Sequence, residues 1–261
     1  MLSFSYSKSL TASDLPNCRI KVSSQSPEDF YGQPLPTVPN LDPNLVSGTL
    51  DMQGLSDETY HLLQSLDLAS KATPDQESPP EEFVRELLRS LGYETHDLLS
   101  RSRYTIPLLR NSYSKSSAET ADLCLVQGSS TVLLVVKVDN NLAVGAHDPE
   151  PQVIAGAIAT FQCNNRIRSR LGEPELDSMA IQCIAMVGTR PTFYLVPVTQ
   201  HLSESIIRGT IPTVNTVVTK CVVVSNRHLL SEGMESPDFR QVALQHFTTF
   251  RTLAMAHWPV L

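Results

Sequence analysis

Residues 121–140 read ADLCLVQGSSTVLLVVKVDN, and the fold turns on how this stretch is read. Two apolar runs flank a polar Gly-Ser-Ser turn, a pattern that predicts a β-hairpin with strands over 121–127 and 131–139. Asp122 opens the first strand, and Lys137 and Asp139 close the second. Strand side chains alternate between faces, so Lys137 and Asp139, two apart, point the same way. The hairpin is therefore a candidate core and a candidate site at once.

Working outward, a helix is expected over SPPEEFVRELLRSLGY, residues 78–93. Ser78 can cap it, Pro79 suits the first helical position and Glu81 completes a capping box. Phe83, Val84, Leu87, Leu88 and Leu91 form its apolar face, and Gly92 ends it. A strand follows at 103–109. After the hairpin, Asp148-Pro149 starts a helix running to about Leu171, with Val153, Ile154, Ala157, Ile158 and Phe161 facing inward. Small Gly156 and Ala159 permit close packing. Strands are expected at 179–187 and 191–198, joined by Gly188-Thr189-Arg190, and at 216–224, an almost wholly apolar run read as central. A last helix starts at Ser236-Pro237 and presents Phe239, Val242, Ala243, Phe247, Phe250 and Leu253. Helix, three strands, helix, strand is an αβββαβ order, which implies an α/β fold with a mixed sheet and flanking helices.

Residues 1–78 read differently. They are rich in Ser, Pro, Asp and Asn and carry four basic against ten acidic residues. Stretches such as GQPLPTVPNLDPN hold no helix and offer little to bury, so an acidic, largely extended arm is expected ahead of a domain over 79–261. One island, 56–68, has helical spacing and suits a short helix docked on the body.

The bulk properties bound the function. Hydrophobic content of 41% with 18% charged residues fits a chain with a substantial core. No apolar run approaches the ~20 residues of a membrane span. The first residues lack the apolar core of a signal peptide. Five widely spaced cysteines, without a Cys-x-x-Cys pair, suit buried thiols rather than disulfides or a zinc site. The expectation is an intracellular protein, cytoplasmic or nuclear, with no membrane partner. Residues 79–261 carry 16 basic and 17 acidic residues, a near balance that leaves room for a local basic groove. There is no Gly-x-Ser-x-Gly elbow, P-loop or Rossmann glycine pattern.

The segments PEEFVRELLRSLGY, RYTIPLL, AETADLCLV, LLVVKVDN, DPEPQVIAGAIATFQCNNR and MVGTRPTFYLVPVT carry a resemblance. Over about residues 79–224 the chain resembles the PD-(D/E)XK nuclease superfamily. More narrowly, it is similar to a family of uncharacterised fungal proteins best represented in basidiomycetes. The resemblance implies a restriction-endonuclease-like sheet and a Mg²⁺ site. There, carboxylates hold the ion, the ion lowers the pKa of a bound water, and a lysine offsets the developing anion. It implies Asp122, Glu81 and Asp139 as metal ligands. Lys137, Asp139 and Gln152 are the implied catalytic residues.

The acid-x-lysine element departs from that pattern. Family members read close to LLVQEDK, so alignment on Leu-Leu-Val puts Lys137 at the glutamate and Asp139 at the lysine. In the other register Lys137 is the lysine and Val135 stands for the glutamate. Asp139 lies about 6–7 Å further along the strand than Lys137, a large offset against an Mg–O bond of about 2.1 Å. In the Gln-x-x-x-Tyr element that Gln152 matches, Gly156 stands where the tyrosine would be. The leading expectation is a nuclease-fold protein with a degenerate metal site, retaining a nucleic-acid- or protein-binding role. The rivals are an active Mg²⁺-dependent nuclease and a protein-interaction module without nucleic-acid contact.

The residues alone also admit plainer roles. Asp122 can flank a strand, Glu81 can only cap its helix, and Lys137 and Asp139 can form an exposed strand end. Arg166, Arg168 and Arg170 suit the negative end of a helix dipole. With Arg101, Arg103 and Arg190, Arg166 and Arg168 are also candidate nucleic-acid contacts. His147, just before the crossover helix, is a lone histidine without metal spacing.

Overall fold

The computed structural model describes residues 10–36, 41–73, 76, 78–109, 117–128, 131–139, 148–224 and 232–258. The hairpin reading of 121–140 holds: β3 (Ser117–Gln127) and β4 (Thr131–Asp139) are antiparallel, with Leu123 opposite Val136 and Leu125 opposite Leu134. Gly128 leaves β3 with φ +61°, a left-handed turn conformation that glycine adopts without steric cost. Ser129 and Ser130 of the expected turn, and His147, lie outside the described residues.

Before the hairpin come α5 (Ser78–Ser90) and β2 (Leu98–Leu108); after it come α6 (Glu150–Leu171) and β5 (Ser178–Val187). β2 pairs antiparallel with β3, and β4 pairs parallel with β5. A parallel pair needs a crossover, and α6 supplies it by running back along the sheet. Its expected apolar face is fully buried. Gly156 permits close approach, because a Cβ there would stand 3.1 Å from Val135 Cγ1 of β4. β6 (Arg190–Thr199) returns antiparallel to β5 through Gly188-Thr189. Gly188 has φ +59°, the glycine-first pattern of a tight hairpin.

Three further elements extend the sheet and its cover. α7 (Gln200–Arg208), capped by the Thr199 hydroxyl on the Leu202 amide, packs on β6. β7 (Thr216–Val222) pairs antiparallel with β6. α8 (Pro237–His257) buries Phe239, Ala243, Phe247 and Phe250. Phe193 of β6 packs edge-on to Phe247 and tilted against Phe250. Its neighbour Tyr194 shares the row of Val135 through Cys183, so α8 and α6 lie on opposite faces of the sheet.

The segment expected to be an extended arm is folded over its described residues. It forms α1 (Asp14–Asn17), β1 (Ile20–Ser24), α2 (Pro27–Tyr31), α3 (Pro43–Ser47) and α4 (Asp57–Ser70). β1 pairs parallel with β7, so the seven-stranded order is β1-β7-β6-β5-β4-β3-β2. α4 is the helix expected at 56–68, begun by Ser56 on the Thr59 amide and packed on α5. Composition misled because the buried residues are sparse but well placed. Leu15, Ile20, Phe30, Tyr31, Leu45, Leu62, Leu63 and Leu66 all join the core. Proline sits at helix starts in α2 and α3, where its missing N–H costs nothing.

β7 is likewise not central. It lies one strand in from the β1 edge, and Val217 and Val222 are 48% and 46% exposed. The five cysteines are buried and reduced. No helix among the described residues is long and apolar enough to cross a membrane.

Candidate functional site

Asp122 stands where the pairing on both sides of β3 is interrupted. The β2–β3 register runs Ser102 with Leu123 and Tyr104 with Ala121, passing over Arg103 and Asp122 between them. Arg103 has φ +50°, a left-handed conformation that a non-glycine residue seldom adopts within a strand. On the other side, the β3–β4 ladder ends at Leu123 and Val136. The Asp122 carboxylate takes over from the missing ladder bonds. Its Oδ2 accepts the Val138 amide at 2.7 Å, and its Oδ1 accepts Lys137 Nζ at 3.1 Å. Lys137 Nζ also donates to the Thr120 carbonyl at 2.9 Å. Asp122 and Lys137 side chains are 18% and 21% exposed.

A second ion pair lies alongside. Glu81, in the first turn of α5, is 3.6 Å from Arg103 Nε, and Arg103 itself is largely exposed. Glu81, Arg103, Asp122 and Lys137 thus alternate in sign across α5, β2, β3 and β4. Each acid has a base beside it.

The remaining expected residues spread from that row. Asp139 lies two residues past Lys137, opposite Val187, which in turn is opposite Arg190. Its carbonyl accepts the Gly188 amide at 2.7 Å. Gln152 is half-buried in the first turn of α6, one turn before Gly156. Because α6 runs antiparallel to β4, that turn lies toward the Lys137 end of the strand. Val135 is fully buried beneath Gly156.

The five arginines do not form one rim. Arg101 and Arg103 are exposed on the edge strand β2. Arg190 is on β6, four strand spacings or about 19 Å from β2. Arg168 donates to the Pro174 carbonyl at 2.8 Å and pairs with Glu173 at 3.2 Å, which ties down the loop after α6. Arg166 places Nη2 against the Cys163 sulfur at 3.9 Å, and its Nε is buried.

These residues do not fit a divalent ion as they are arranged. Mg²⁺ takes oxygen ligands at about 2.1 Å in a near-octahedral shell, and each Asp122 oxygen, already accepting one N–H donor, has a single lone pair left to offer an ion. An ion on Oδ1 would sit beside the Lys137 ammonium, like charge against like. Val135 contributes only methyl groups. Among the described residues, no group of three His, Cys, Asp or Glu side chains could hold a metal.

Two polar clusters escaped the sequence reading. Lys220 of β7 reaches Glu150 in the first turn of α6 at 2.6 Å. Tyr31, Cys221 and His246 meet in the core, with Tyr31 Oη 3.0 Å and Cys221 Sγ 3.8 Å from His246 Nδ1. Burial pushes the His246 imidazole down to about 4 and the Cys221 thiol up to about 11. Both clusters join residues far apart in the chain, and no spacing marks them. No protein-family model matches this chain, and no curated protein matches it.

Proposed function

We propose that this chain is a PD-(D/E)XK nuclease-fold protein with a degenerate metal centre whose retained role is binding nucleic acid. The fold part of the reading is supported by the succession α5-β2-β3-β4-α6-β5, which follows the αβββαβ order. The functional part rests first on the Asp122 carboxylate, whose two oxygens are engaged by the Lys137 ammonium and the Val138 amide. An acid so engaged serves as a brace for the end of the ladder. Exposed Arg101 and Arg103, on the edge strand beside that brace, favour nucleic acid over protein as the ligand. Guanidinium groups recognise phosphate by charge and by paired N–H donors.

The test is fluorescence anisotropy with labelled single- and double-stranded DNA and RNA, in MgCl₂ and in EDTA, alongside a cleavage assay on the same substrates. Binding is expected in both buffers, with weakening of roughly tenfold in Arg101→Ala/Arg103→Ala and a steep decline with salt. No cleavage is expected. Mg²⁺-dependent cleavage lost in Asp122→Ala would establish the active nuclease instead. Absence of binding to any nucleic acid would leave the protein-interaction module.

A further inference from the structure

We propose that the Lys137 ammonium is the resident cation of the β3–β4 site, held where a hard metal ion would otherwise sit. This deepens the reading of a degenerate centre and depends on it. The ammonium meets a carboxylate oxygen, Asp122 Oδ1 at 3.1 Å, and a backbone carbonyl, Thr120 O at 2.9 Å. Those are the two ligand types from which proteins build sites for hard cations. An ammonium has three donors and no acceptor, so both contacts are donations and both go to β3.

The second Asp122 oxygen is held by the amide of Val138, the residue after Lys137. One stretch of β4 therefore grips Asp122 twice, once by side chain and once by backbone. With both side chains about four-fifths withdrawn from water, the pair is screened less than a surface ion pair. A divalent ion sharing the Asp122 carboxylate would lie close to the ammonium, like charge beside like, or would have to displace it from Oδ1 and from the Thr120 carbonyl. The positive charge that the Asp122 carboxylate needs is supplied by the chain itself, at every metal concentration.

Exchanging the ammonium for an oxygen ligand should expose the vacated donors. The experiment titrates MnCl₂ by calorimetry into wild type, Lys137→Glu and Lys137→Glu/Asp122→Asn. Wild type should take up no Mn²⁺ that depends on Asp122. Lys137→Glu should gain one site, on the order of 0.1–1 mM and comparable to the weaker all-oxygen sites, and the double variant should lose it.

Lys137→Gln, which adds no charge, guards against a folding failure in Lys137→Glu. Mn²⁺ at ten times its dissociation constant should raise the Tm of Lys137→Gln by about 3–5 °C and leave wild type unmoved. Mn²⁺ uptake by wild type that Asp122→Asn abolishes would overturn both this proposal and the degenerate reading. No response in either Lys137 variant would overturn the resident cation alone.

Discussion

Removing the Asp122 carboxylate takes an acceptor from two donors at once. Asp122→Ala leaves the Lys137 ammonium partly buried with one partner and the Val138 amide with none. The expected loss is about 1–3 kcal/mol, read as a shift in urea midpoint at constant slope. Asp122→Asn keeps an oxygen for the amide and should recover roughly half of that. His246 gives a second residue-scale prediction. Its folded pKa of about 4 lies below the ordinary value of 6.5, so the unfolded chain binds the extra proton between those pH values. The stability that neutral His246 contributes is therefore fully present above pH 6.5 and is lost as pH falls through 4, by roughly 3 kcal/mol in all. In His246→Gln the pH dependence of unfolding over that window should flatten by about one proton. Strand alternation made the common face of Lys137 and Asp139 legible in the sequence. Thr120 O and Val138 N–H, which decide what Lys137 and Asp122 do there, are backbone groups that no residue letter marks.

Gly156 sets how closely α6 lies on the sheet. A methyl group at that position would press on Val135 Cγ1, and Val135 is itself fully buried within β4. Alanine favours a helix over glycine by about 1 kcal/mol, but overpacking costs about 1–3 kcal/mol. Gly156→Ala should therefore be net destabilising, and Val135→Ala should relieve part of the loss. Chemical denaturation of both single variants and the double closes that cycle. Long periodic elements such as α5, α6 and α8 were readable because their apolar stripes repeat over several turns. β1 and α7 were not, for opposite reasons. β1 is five residues with only Ile20 fully buried, and its pairing partner lies near the other end of the chain. α7 begins directly where β6 stops, with no loop between them to announce a change of period.

At the scale of the molecule, the described residues up to Ser70 contribute to the same core as the rest. Phe30 stacks on Phe250, Tyr31 hydrogen-bonds His246, and Arg240 of α8 donates to the Val46 carbonyl. Losing a buried aromatic costs about 3–5 kcal/mol, against a total stability of about 5–15 kcal/mol. A variant beginning at residue 79 should therefore lose its single cooperative melt by circular dichroism. An undiminished transition would show the expected arm to be a separate layer after all. Its low apolar content concealed this because a few well-placed side chains dock the segment on the core.

The contact of α2 with α8 has a temporal consequence. Tyr31 and His246 are 215 residues apart. At about 5–20 residues per second, ribosomal synthesis needs roughly 10–40 s to bring the second into being after the first. During that interval Phe30 and Tyr31 have emerged without Phe250 and His246, the side chains they pack against. The nascent chain thus carries an early apolar segment that must wait for α8, and the wait is when its exposed surface is most open to aggregation.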